Sequence, residues 1–363
     1  MSNIVDYIKW RGDLSFKVSP INEIDNLIMA RISYLPYEKV ESFDMIEFKD
    51  LAEQFFELDS EEFHEPEDID LIQEMVKSER FKGLKFSDIR TKFSKEEEVQ
   101  FFAVTVWLPN GELFVSYRGT DATLVGWKED FNMSFMSNLP SQKEGVDYLE
   151  YIAKKYPLKK IRLGGHSKGG NVAVYSGTFC NQITQNKIVE ITSADGPGFD
   201  KAIIETEEYK TILGRIHTYI PQSSVIGRLL EHEEEYRIVE SIQKGIMQHD
   251  IYSWQVEGTK IKSIAEVTNG SEMINEVTRS WLRNTTPEQR KDFVDIIFQI
   301  LNATNAKSVH EISIKNVGKM IDSYSNIEKD EKKEIKEIAK VLFKTSFSTI
   351  KDELLQQINL DKN

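Results

Sequence analysis

Ten residues, Ile161 to Gly170 (IRLGGHSKGG), constrain the fold of this chain more than any other stretch. An apolar run leads into Gly165-His166-Ser167-Lys168-Gly169, and small and apolar residues follow from Gly169 to Cys180. G-x-S-x-G is weak as a bare pattern. Set between a short strand and a helix, it reads as a nucleophile elbow. The turn is so tight that Ser167 takes a strained backbone conformation. Side chains at positions 165 and 169 would collide with the adjoining strand and helix, so both are glycine. The expected result is an exposed Ser167 hydroxyl at the carboxyl edge of a sheet. The Lys168 N–H, at the helix start, faces the position where an oxyanion forms.

The flanking sequence supplies that sheet. Val99–Trp107 and Leu113–Tyr117, rich in Val, Phe, Thr and Tyr, flank Pro109-Asn110-Gly111 and predict a hairpin. Lys143–Tyr156 is helical in pattern, Lys160–Gly164 a strand, Gly169–Cys180 a helix, and Val189–Ala194 and Arg215–Ile220 further strands. This alternation implies parallel strands with helical crossovers. Residues 1–82 read as acidic and mostly helical, with Ile21, Ile24, Leu27, Ile28, Ile32 and Leu35 at helical spacing before Pro36. Glu57 to Asp70, with His64 inside it, reads as a solvated acidic loop rather than the metal site its carboxylates could suggest, since the acids lack a ligand rhythm with a central glycine. Beyond about residue 265 the strand signals end. Thr286-Pro287-Glu288-Gln289 opens a helix bearing Phe293, Ile296, Ile297, Ile300 and Leu301, and two further periodic runs cover Ile335–Leu342 and Ile350–Ile358. The expected division is therefore 1–82, 83–265 and 266–363.

Charge excludes some partners. The chain has 363 residues and a formal net charge of −14, from 46 basic and 60 acidic side chains. This argues against nucleic acid, whose phosphates reward net basic protein. A single cysteine, Cys180, excludes a disulfide framework or a Cys-rich metal site. No run approaches the 18 apolar residues of a transmembrane span, and the first residues lack a signal-peptide pattern, so a cytoplasmic location is expected. Neither a metal nor an organic cofactor is called for.

Several blocks resemble class 3 lipase-like α/β-hydrolases, in a bacterial branch. They are GGHSKGGNVAVYSG (164–177), VSYRGTDATLVGWKEDFNMSF (115–135), ITSADGPGF (191–199) and QHDIYSW (248–254), joined near the start by DYIKWRGDLSF and NEIDNLIMARISYLPYE. The resemblance covers roughly residues 1–260. It implies an α/β-hydrolase core with a mainly parallel sheet, preceded by helices and followed by a helical extension. It also assigns Thr120, just after Gly119, the second oxyanion donor through its backbone N–H or its hydroxyl. Arg118 and Asp130 read as anchors of that loop.

A serine nucleophile needs a base. His166 lies inside the elbow and is expected to point away as a packing residue. His64 and His310 fall outside the sheet region, and His217 reads as a buried mid-strand histidine. His232 and His249 remain. His249 comes later, as the base does in such enzymes, and it matches the resemblance in QHDIYSW. The acid is less regular. Lipases of this kind place an aspartate after the strand corresponding to Arg215–Ile220, but here Pro221-Gln222-Ser223-Ser224 stands there. Asp195, ending the neighbouring strand, is the candidate acid; the alternatives are a turn-capping aspartate or no working acid at all. The run Glu231–Glu235 reads as a solvated turn. Ala122–Pro140, with Trp127, Phe131, Met133, Phe135 and Met136, and Ser223–Met247 are candidates for a lid or acyl-binding wall, or for plain core packing.

The expectation is thus a serine hydrolase cleaving a small-molecule or lipid carboxylic ester. Ser167, His249 and Asp195 form its triad, with Thr120 and Lys168 as its oxyanion hole. A thioesterase or peptidase would use the same triad. A non-catalytic protein with this fold, binding a protein partner through its carboxy-terminal helices, is the alternative from another class.

Overall fold

The computed structural model describes residues 2–40, 45–121, 123–136, 138–265, 281–282, 284–304 and 323. Among these, β1 (Ile46–Glu47), β2 (Lys85–Ser94), β3 (Val99–Trp107), β4 (Leu113–Tyr117), β5 (Ile161–His166), β6 (Ile188–Ala194), β7 (Ile216–Pro221) and β8 (Tyr236–Val239) form one sheet whose spatial order follows chain order. The helices that matter below are α1 (Ile4–Arg11), α2 (Glu23–Arg31), α3 (Phe48–Phe56), α4 (Glu67–Lys77), α5 (Leu124–Asn132), α6 (Pro140–Lys155) and α7 (Lys168–Phe179).

The predicted hairpin is present. β3 and β4 pair antiparallel from Ala103 opposite Tyr117 to Trp107 opposite Leu113, and Gly111 turns the chain at φ 91°. From β4 to β8 every neighbouring pair is parallel. This is the α/β-hydrolase core, with α7 as the crossover between β5 and β6. Strand alternation shows how the sheet is covered. The Ser116 hydroxyl donates to the Met29 carbonyl of α2 at 2.6 Å, while the next residue, Tyr117, donates to the Gly145 carbonyl of α6 at 3.1 Å. Successive side chains leave a strand on opposite faces, so α2 and α6 cover opposite sides.

The amino-terminal helices are integral to one face. α1 to α4 bury Ile4, Ile8, Leu27, Ile28, Leu51, Phe55, Leu71 and Ile72 in a continuous core with Phe86, Phe102, Val104 and Trp254. The helix expected before Pro36 is α2 followed by a tighter turn, Ile32–Tyr34, and α2 is buried from Ile24 to Arg31. The acidic stretch 57–70 differs from its reading. Glu67, Asp68 and Asp70 stand in the first turn of α4, where the helix dipole favours them, and Asp68 is buried against Arg31. His217 is also corrected. It lies half exposed near the start of β7, 3.7 Å from Glu190, before the strand becomes buried from Thr218 onward.

By contacts the chain falls into two units. The first is Met1–Phe93, Gln100–Gly119 and Pro140–Val267; the second is Ser94–Val99, Thr120–Leu139 and Thr268–Asn363. In the second unit, Leu124, Val294 and Phe298 form a small core, and the Lys128 ammonium bridges Glu98 at 2.6 Å and Asp295 at 2.7 Å. The helix Pro287–Asn302 begins at the predicted capping box between Thr286 and Gln289. The runs Ile335–Leu342 and Ile350–Ile358, like His310, lie outside the described residues. No described helix is long and apolar enough to cross a membrane.

Candidate active site

The elbow forms at the end of β5. Ser167 has φ 58° and ψ −134°, a region that non-glycine residues adopt at a cost of about 1–3 kcal/mol. The residue is 9% exposed, largely covered rather than open to solvent as expected, because β5, β6 and α7 close around the tight turn. The close approach that demands the two glycines is explicit. A Cβ on Gly165 would lie 2.3 Å from the Gly169 carbonyl carbon, and one on Gly169 would lie 2.2 Å from the Tyr117 oxygen. The first intrahelical bond of α7 runs from the Gly170 N–H to the Ser167 carbonyl, 2.9 Å. The Lys168 N–H, at the first position of the helix, stands at the positive end of the helix dipole. The Lys168 side chain turns away, donating to the Gln100 carbonyl at 3.0 Å and the Gln100 side-chain oxygen at 3.1 Å.

The register of β5 and β6 places the acid. His166 pairs with Ala194, so Ser167 and Asp195 are the first residues past two adjacent parallel strand ends. The Ser167 N–H donates to the Ala194 carbonyl at 2.9 Å, and the Asp195 N–H to the Tyr219 carbonyl at 2.8 Å. Asp195 is buried at 1% exposure, with φ 48°. Its Oδ2 lies 2.6 Å from His249 Nδ1. Its Oδ1 accepts from the Ser224 hydroxyl and, at 3.1 Å, from the Gly227 N–H. Ser224 thus stands in the Pro221–Ser224 segment that lacks an aspartate, and its hydroxyl supports the carboxylate that the neighbouring strand supplies.

His249 is held from several sides. The His166 ring packs against the His249 ring with centroids 4.4 Å apart, and His166 Nε2 lies 2.7 Å from the His249 carbonyl. Burial, first, and then the neighbouring His249 hold His166 well below the ordinary histidine range. His166 is therefore neutral, and its Nε2–H donates to that carbonyl. The Tyr34 hydroxyl sits 3.3 Å from His166 Nδ1. On the other side, the Trp254 indole donates to the Gln248 carbonyl at 2.8 Å, and the Ser223 N–H to the Gln248 side chain at 2.7 Å. Two residues after Asp250, the Tyr252 hydroxyl donates to Asp68 at 2.6 Å, and Arg31 grips the same carboxylate at 2.8 and 2.7 Å. The amino-terminal helices therefore fix the loop that carries the candidate base. His166 is more than the packing residue expected, since it ties the position before Ser167 to the main chain of His249. Only its place in the elbow signalled this.

The other candidates fall elsewhere. His232 engages Glu234 and the Gly227 carbonyl, and Glu234 is buried, so of the solvated turn expected at Glu231–Glu235 only Glu233 and Glu235 are exposed. His64 packs edge-on against Tyr34, with centroids 4.9 Å apart. Arg118 anchors its loop as expected, donating to the Ser33 carbonyl at 2.6 Å and the Leu35 carbonyl at 2.9 Å. Within the second unit the Thr120 hydroxyl donates to Asp130 at 2.7 Å. That commits the hydroxyl. Ser223–Met247 holds the acid in place through Ser224 and Gly227, a role beyond that of a lid. Among the described residues no cluster of His, Cys, Asp and Glu has the arrangement of a metal site.

A family model described as Mbeg1-like matches residues 75–299. No curated protein matches. Among solved structures, a mutant form of MDLA from Penicillium cyclopium is 13% identical, over 66% of this chain and 83% of that one, with a TM-score of 0.39. Rhizomucor miehei lipase in its propeptide complex is 14% identical, over 59% and 67% of the two chains, with a TM-score of 0.37.

Proposed function

The chain belongs to the Mbeg1-like family, and we propose that it is a serine hydrolase of carboxylic esters. The observation that carries this reading is the 2.6 Å bond between His249 Nδ1 and a buried Asp195, one strand over from a serine in a strained elbow. Strain and a buried carboxylate are both costly, and a serine esterase uses both.

The roles follow from the atoms. Ser167 Oγ attacks the ester carbonyl carbon while His249 Nε2 takes its proton. Asp195 keeps the proton of His249 on Nδ1 and stabilises the imidazolium. The carbonyl oxygen, now anionic, accepts from the Lys168 N–H at the start of α7 and from the Thr120 N–H. A Cβ on Gly119 would lie 3.1 Å from the Ser167 Cβ, so the peptide that leads to Thr120 begins beside the nucleophile. Collapse of the adduct breaks the ester C–O bond, and His249 returns its proton to the leaving alcohol. Water, deprotonated by the same histidine, then frees the acid and Ser167.

A fluorophosphonate probe followed by peptide mapping tests the nucleophile. Labelling at Ser167 that disappears in Ser167→Ala is expected. Labelling elsewhere, or equal labelling of the variant, rejects the assignment. A panel of p-nitrophenyl esters and matching thioesters then reads the substrate class, and turnover of the oxygen esters is expected.

A further inference from the structure

Behind the triad lies a second histidine–carboxylate pair that the reaction does not use. The side chains of His232 and Glu234 are 7% and 4% exposed, in the connection from β7 to β8. His232 Nδ1 lies 2.8 Å from Glu234 Oε1, and Nε2 lies 2.7 Å from the Gly227 carbonyl. A carbonyl only accepts, so Nε2 donates to Gly227 while Nδ1 faces the carboxylate. Glu234 also accepts from the Thr218 hydroxyl at 2.7 Å and the Tyr209 hydroxyl at 2.6 Å. Burial pushes its carboxyl up, but His232 and the two hydroxyls outweigh burial and hold it below the usual carboxylate value. Stability does not require such a pair, because apolar side chains of equal volume commonly serve a fold as well.

Its placement suggests another use. Gly227 carries one clamp on each side: its N–H donates to Asp195 Oδ1, and its carbonyl accepts from His232. A Cβ at this position would lie 2.2 Å from Asp195 Oδ1, so only glycine fits against the carboxylate. Glycine is also the residue least able to hold its own dihedral angles. The rigidity that keeps its N–H aimed at the acid must then come from outside the residue, and His232 is the group bonded to its other end.

We propose that His232, itself fixed by Glu234, is a positioning residue that holds Asp195 in register with His249 through Gly227. This rests on the triad reading above.

The test compares His232→Asn, His232→Gln and Glu234→Gln with the parent, each at a temperature where circular dichroism shows it folded. The readouts are the rate of fluorophosphonate labelling at Ser167 and the kcat and KM for a p-nitrophenyl ester. A glutamine amide nitrogen reaches the position of Nε2 and restores the bond to Gly227, whereas asparagine does not. His232→Asn is expected to slow labelling and kcat about tenfold with KM unchanged, and His232→Gln to stay within about threefold of the parent. Glu234→Gln falls between them, since an amide cannot accept from all three donors, and it carries the comparison if His232→Asn does not fold. A merely structural pair would shift melting temperatures without this order of rates. Parent-like rates in all variants, or glutamine as slow as asparagine, overturn the proposal while the triad stands. A parent protein that does not label at Ser167 overturns both.

Discussion

Replacing Asp195 by asparagine probes the proposed chemistry with almost no change in volume. The carboxylate has two differently engaged oxygens. Oδ1 faces two donors, the Ser224 hydroxyl and the Gly227 N–H, and Oδ2 faces His249 Nδ1. An amide offers one oxygen and one NH2 group. If its NH2 took the Oδ1 position, it would meet the Gly227 N–H head on in a fully buried site, and two opposed donors there cost about 1–3 kcal/mol. The oxygen therefore occupies the Oδ1 position and the NH2 group points at His249. His249 Nδ1 must then accept, which moves the ring proton to Nε2, and Nε2 can no longer take a proton from Ser167. A wrong tautomer of this kind lowers kcat by about ten-thousandfold, equivalent to about 5 kcal/mol of transition-state stabilisation. The assay is steady-state hydrolysis of a p-nitrophenyl ester, with a thermal melt to confirm that the fold is retained. Turnover within about tenfold of the parent, in a folded protein, would refute the role assigned to Asp195.

Three other expectations concern the scaffold. Gly169→Ala places a Cβ 2.2 Å from the Tyr117 oxygen, and the elbow should lose about 3 kcal/mol; a parent-like denaturation midpoint would contradict the packing argument. Arg31→Met leaves the buried Asp68 without its cation, so stability should fall by about 3–5 kcal/mol in urea unfolding. Activity should fall with it, because Tyr252, three residues after His249 in the same loop, bonds the same carboxylate. Glu234 gives a pH signature. Its folded value is depressed, so its contribution to stability is present above the unfolded carboxylate range, near about pH 4, and is lost as the pH falls through the lower folded value. The parent should therefore lose more stability than Glu234→Gln on acidification from about pH 5 to about pH 3, measured by denaturant midpoints. Equal losses would remove that carboxylate from the balance.

The features legible in the order of residues were those with local causes. Alternating and continuous apolar runs marked β3 to β7, and the Pro109-Asn110-Gly111 turn marked the hairpin, because strand and turn preferences act over a few residues. Gly165 and Gly169 announced the elbow because a missing side chain at fixed spacing has a steric reason. Asp195 could be nominated from its place at a strand end, since neighbouring parallel strands end at one edge. By contrast, β2 carries Lys85, Asp88, Arg90 and Lys92 among its apolar residues, and β8 spans only Tyr236–Val239. Neither has a pattern that outweighs its charges or its shortness.

Which charges are buried was settled by distant partners. Asp68 reads as one acid among many until Arg31, 37 residues earlier, closes on it. Glu234 reads as solvated until Tyr209, Thr218 and His232 surround it, and Ser224 acquires its role only because Asp195 arrives from another strand. The chain's own pattern determines where strands, turns and tight approaches occur, since these depend on neighbours along the backbone. The fate of a polar side chain depends on which donors and acceptors the folded packing brings within 3 Å of it, and that is decided by the tertiary structure alone.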